Sequence, residues 1–343
     1  MEDLEELVNY KEITQPILKP KKKLTHTDCE INSLIRKYNG YLKDFQKKHD
    51  YNDELINMLT LIQISLNELY GKKINDIFYQ VMDKNRIYLE EGHTYELCQK
   101  YGLEETNPYI TGFYTMDKPK NLFTKKTKII DQKIFIGDTM FNQKLPKIDI
   151  LETLIHELRH AITSVKETNY YIDKNLFYSR SGLSEFFYKK GEEDTYVYGS
   201  MIDEVFNVYF TDILMNNILN YKKNNIDRND FKKYLYTLKN YSTNKVYEST
   251  SYDLEKLICK PLFFNKDIVQ SANYAAITGD IDAFANNFEN YNYYINLLDC
   301  LSYDFDEYSC LDNEDQNKVK EMILEFKNQT LKNAKYYKTL NSK

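Results

Sequence analysis

Two histidines four residues apart, with a glutamate directly after the first, occur at His156-Glu157-Leu158-Arg159-His160. On a helix, a spacing of four puts both imidazoles on one face about a turn apart. Two ring nitrogens so placed reach one metal ion at about 2.0–2.1 Å each. Glu157, beside the first histidine, is positioned to take a proton from an attacking water and pass it to a leaving amine. In a chain of this composition the pattern HExxH arises by chance with an expectation on the order of 0.01.

The flanking residues supply the helix. Pro146 precedes Lys147–Val165, where Leu151, Leu154, Ile155, Leu158, Ala161, Ile162 and Val165 recur at helical spacing. The chain has five histidines and none follows His160. A third histidine from downstream is therefore excluded. The pattern HExxHxxGxxH fails at Thr163 and Lys166, and the inverted HxxEH is absent. A downstream carboxylate is the remaining conventional third ligand.

Glu167, Asp173, Glu185, Glu192, Glu193, Asp194, Asp203, Glu204 and Asp212 are available. Glu167 lies on or just beyond the motif helix, which cannot bend back to place it at the metal, and Glu192, Glu193 and Asp194 sit in a polar run. Glu204 is favoured. It opens a second amphipathic stretch, GSMIDEVFNVYFTD, whose buried face is expected at Ile202, Val205, Phe206, Tyr209, Phe210 and Ile213. An acid at the edge of such a face points into a cleft. Ser200 followed by Asp203 reads as a capping box with Asp in place of Glu.

HELRH with an acidic helix downstream resembles the gluzincin class of zincin metallopeptidases, over about residues 128–215. The resemblance implies one zinc ion held by His156, His160 and Glu204. It makes Glu157 the general base and a peptide or protein the substrate. It also implies a small mixed sheet against the motif helix, for which Lys128–Gly137 is the candidate, and a helical lobe that closes the cleft. Thermolysin-like members carry an Asp four residues after the ligand Glu. Here that position is Val208, and Asn207 is the nearest substitute as a partner orienting a histidine. An oxyanion or substrate contact is sought at Arg180 or Tyr198. The alternative is a zincin-fold scaffold that binds a peptide or protein without turnover.

These residues need a framework. At roughly 150 residues per domain, 343 residues suggest about two domains. The patterns divide the chain into a helical region 1–108, a catalytic core 109–220 and a helical lobe 221–343. The expected fold class is α+β and predominantly helical. From Thr27 to Gln80 apolar residues recur at three and four, with breaks expected at Asn39-Gly40 and Tyr70-Gly71. Gly112–Met116 is strand-like. Lys128–Gly137 reads as a hairpin turning at Asp131-Gln132. Asn175–Ser179 is strand-like, followed by a mixed loop to Gly199.

Composition narrows the function classes. A net charge of −6 disfavours a global grip on nucleic acid. No apolar run approaches the roughly 18–20 residues a membrane helix needs. The opening MEDLEELVNYKEITQ lacks the basic-then-apolar layout of a signal peptide, so a cytoplasmic location is expected. Export by a signal-less route stays open. Five cysteines without a CxxC point to free thiols. The basic run Lys19–Lys23 reads as a solvated linker, and the 32 tyrosines as packing residues. No pattern specifies an oligomeric state.

Overall fold

The computed structural model describes residues 2–18, 24–103, 105, 107–115, 132–141, 143–165, 168–173, 175–189, 195–238 and 246–334. In chain order, helices α1 (Glu2–Val8), α2 (Asp28–His49), α3 (Asp53–Tyr70) and α4 (Ile74–Lys84) precede strand β1 (Asn85–Glu90) and helix α5 (Thr94–Lys100). Strands β2 (Gly112–Thr115), β3 (Gln132–Gly137), β4 (Thr139–Met140) and β5 (Gln143–Lys144) lead to the motif helix α6 (Lys147–Ser164). Strands β6 (Thr168–Tyr171), β7 (Leu176–Ser181), β8 (Ser184–Lys189) and β9 (Thr195–Tyr198) lead to α7 (Ser200–Asn220). Helices α8 (Asn229–Thr237), α9 (Asp253–Phe263), α10 (Lys266–Thr278), α11 (Ile281–Ala285), α12 (Tyr291–Glu307) and α13 (Asn313–Ala334) follow. The chain is mostly helical with small sheets. Among the described residues no helix is long and apolar enough to cross a membrane.

The chain forms two compact units, each assembled from separated stretches. One comprises Leu18–Val165 and Phe210–Glu248; the other comprises Met1–Ile17, Lys166–Tyr209 and Ser249–Lys343. In the first, β3 lies between β1, which runs parallel to it, and β2, which runs antiparallel. Tyr88, Phe135 and Phe113 fall in one cross-strand row. With Leu97 and Cys98 of α5 they build a core on one face. Strand alternation turns Ile134 and Ile136 to the other face, and there α6 packs on β2 and β3.

Several expectations change here. Asn39-Gly40 does not break a helix, because α2 runs through it. Asn39 is buried and accepts a hydrogen bond from Arg228 at 2.6 Å. Such tertiary contacts offset the roughly 1 kcal/mol cost of a mid-helix glycine. The Tyr70-Gly71 break stands: α3 ends there, and Gly71 has φ +76°. The region before residue 108 is not all helical, since Asn85–Glu90 is a strand. Its partner lies more than 40 residues on, out of reach of a local pattern. Gln132–Gly137 is a single central strand, not half of a local hairpin. Lys128–Asp131, and the basic run Lys19–Lys23, lie outside the described residues.

In the other unit, β6-β7-β8-β9 form an antiparallel meander in sequence order. The stretch read as a mixed loop thus holds two strands. Ser181 pairs with Ser184 across a two-residue turn, Gly182-Leu183, in which Gly182 has φ +61°. Glycine at the first turn position is what a type II′ hairpin requires. Helices α1 and α9–α13 complete the unit, with Tyr294 stacked on Phe326 at 4.5 Å.

Candidate metal centre

Helix α6 buries Ile148, Leu151, Leu154, Ile155, Leu158, Ala161 and Ile162, the stripe expected from their spacing. At its last turn the His160 carbonyl accepts from the Thr163 hydroxyl at 3.1 Å and from the Ser164 hydroxyl at 2.7 Å. These are hydroxyls that bond back onto the helix carbonyl three or four residues earlier. They also close the turn that carries the second histidine.

His156 and His160 are brought together. Their Nε2 atoms lie 3.1 Å apart, and the rings meet edge to face at 77° with centroids 4.8 Å apart. Two ligands of a tetrahedral zinc at 2.0–2.1 Å are separated by about 3.3 Å. The pair therefore fits one metal ion with little adjustment. At 3.1 Å one neutral ring also reaches the other as a hydrogen-bond donor, and a metal would displace that proton. Both rings are half-buried.

Glu157 packs against the sheet. It is 8% exposed. Gly112, at the start of β2, approaches it so closely that a Cβ there would meet Glu157 Oε1 at 2.8 Å, Glu157 Cγ at 2.9 Å and Thr153 Cγ2 at 2.4 Å. Only glycine leaves room for the strand backbone over the carboxylate. Cys98 lies behind: burial, then the charges of Glu105 and Glu157, push its thiol up to about 12. Gly112→Ala is expected to displace Glu157 and Thr153 and to cost about 1–3 kcal/mol by overpacking. Urea unfolding against wild type checks this; an unchanged midpoint would show that the strand yields freely.

Arg159 is 4% exposed although it lies inside the motif. Its Nη1 donates to the Tyr70 hydroxyl, and its guanidinium lies 4.6 Å from the centroid of Phe210. It thus joins α6 to α3 and to the second half of α7. The sequence held a signal for this: Arg159 shares the Ile155–Ile162 face of the helix.

The other site residues are placed as follows. Glu204 is half-buried on α7, and Asn207, one turn further on, is 4% exposed. Arg180, in β7, is 3% exposed and donates to the carbonyls of Gly182 and Gly279. The Tyr198 hydroxyl donates to the Asn292 carbonyl at 2.5 Å, and burial with the charges of Glu185 and Asp299 pushes its pKa up to about 12. Both side chains thus bond backbone carbonyls of the unit that holds the meander. Glu167 lies outside the described residues.

The capping box expected at Ser200 and Asp203 is replaced. The helix starts at Ser200, so its N-cap is Gly199. The Asp203 carboxylate accepts from the Leu183 N–H at 2.7 Å, and the Asp299 carboxylate takes the Gly199 and Met201 N–H groups. No local pattern could reveal a cap supplied from 100 residues away. No protein-family model, curated protein or solved structure matches this chain.

Proposed function

We propose that the chain is a zinc-dependent peptidase of gluzincin type, with His156, His160 and Glu204 as metal ligands and Glu157 as general base. The observation that carries this reading is the pair of Nε2 atoms 3.1 Å apart, with the buried Glu157 carboxylate beside them on the same helix. Glu204, a half-buried carboxylate on α7, is the third ligand of this reading. Two imidazoles and one carboxylate are a donor set of catalytic zinc sites, which keep a fourth position open.

Zinc held there would polarise a substrate carbonyl and make a water more acidic. The chain's own residues do the rest. Glu157 accepts the proton of the attacking water and returns it to the leaving amine. Its shielded position limits competing solvation of the carboxylate. The short strand β2, with one strand neighbour among the described residues, offers an extended backbone beside Glu157 along which a peptide aligns.

The test is zinc content of the purified protein by elemental mass spectrometry, run beside Glu204→Ala. About one zinc per chain, lost or much weakened in the variant, is the expected result. Zinc retained at full affinity in the variant would move the third-ligand role to another acid. No zinc after reconstitution of the wild type would overturn the reading.

A further inference from the structure

We propose that Asp299 is a positioning residue for Glu204, an inference that rests on the metal-ligand reading above. Helix α7 must present Glu204 from its second turn, yet its N-cap residue has no side chain. Gly199 has φ +72°, and a Cβ there would meet the Leu183 carbonyl oxygen at 3.0 Å. A left-handed backbone and a close carbonyl together demand glycine. The residue types that normally satisfy the first amides of a helix are therefore excluded at this position.

Asp299, on α12, supplies the missing cap with both oxygens. Its Oδ2 accepts from the Gly199 N–H at 2.8 Å and its Oδ1 from the Met201 N–H at 3.0 Å. A carboxylate at a helix N-terminus also complements the helix dipole. Next to it, Asp203 Oδ1 accepts from the Leu183 N–H at 2.7 Å. That bond ties the first turn of α7 to the Gly182-Leu183 turn of the meander. The start of the helix is thus held by two carboxylates on two different elements. Glu204 follows Asp203 directly.

The consequence is for ligand geometry. Helix ends fray, while a metal ligand has to be held within about 0.5 Å of its productive position. Asp299 removes that freedom through its bonds to the helix backbone.

The experiment measures zinc affinity by chelator competition, and the visible spectrum of the cobalt-loaded protein, for wild type, Asp299→Asn, Asp299→Ala and Glu204→Gln. Asp299→Ala is expected to weaken zinc on the order of ten-fold, the lower end of what groups supporting a metal ligand cost. Its cobalt spectrum is expected to shift toward that of Glu204→Gln. Asp299→Asn keeps one acceptor oxygen and is expected to fall between. Because Asn has the shape of Asp, that variant reports even where the alanine variant does not fold. Wild-type affinity and spectrum in the Asp299 variants, with Glu204→Gln weakened, would overturn the positioning role alone. Wild-type behaviour in Glu204→Gln would instead overturn the ligand assignment on which the role depends.

Discussion

Replacing Glu157 with glutamine is expected to leave about one zinc per chain and to lower peptide hydrolysis by roughly 10²–10⁴-fold, the usual contribution of a general acid–base group. The two side chains have nearly the same volume. The packing against Gly112 and Thr153 is therefore kept, and only the proton acceptor is lost. Glu157 is not a metal ligand in this reading, so the affinity of His156 and His160 for the ion should hardly move. The measurement is cleavage of a mixed peptide library, read by mass spectrometry, with zinc content determined on the same samples. Full peptidase activity in Glu157→Gln would remove the general-base role. Tight peptide binding without cleavage by the zinc-loaded wild type would favour a scaffold that retains the fold and has lost turnover.

His160→Ala is expected to abolish both zinc binding and hydrolysis. Groups that merely support a metal ligand cost about 10–100-fold in affinity when removed, so losing a direct ligand should cost more. A second readout is stability. A ligand at 100 times its dissociation constant stabilises the folded state by about 2.7 kcal/mol. Zinc should therefore raise the melting temperature of the wild type and leave that of His160→Ala where it was. His160 is half-buried and its carbonyl bonds do not involve the ring, so the metal-free variant should remain folded. An equal zinc-dependent rise in both proteins would place the ion elsewhere.

The parts of the fold that local pattern reveals are those whose contacts repeat within one turn or one strand. Helix α6 ends within one residue of its expected limit because its apolar stripe is contiguous. Strand β2 emerges from GFYT for a similar reason. Strand β1 does not, since its hydrogen bonds are made with a strand more than 40 residues later. Strands β8 and β9 were masked by the polar run between them, although SEFFYK and TYVY are rich in aromatic and β-branched residues. At Asn39-Gly40 the local break signal is outweighed by Arg228 from a distant segment.

The same division runs through the site. The residue types and their order determined, without a structure, that His156 and His160 share a helix face and that Glu157 lies beside them, because 3.6 residues per turn permits no other arrangement on an unbroken helix. Counting histidines also left a carboxylate as the conventional choice for a later ligand. Tertiary structure decided the rest. The 3.1 Å between the Nε2 atoms depends on rotamers set by packing. The close approach of Gly112 to Glu157 depends on how β2 crosses α6. The capping of α7 by Asp299 depends on a helix 100 residues away. Short-range periodicity is written in neighbouring residues, whereas these contacts come from segments that meet only when the chain folds.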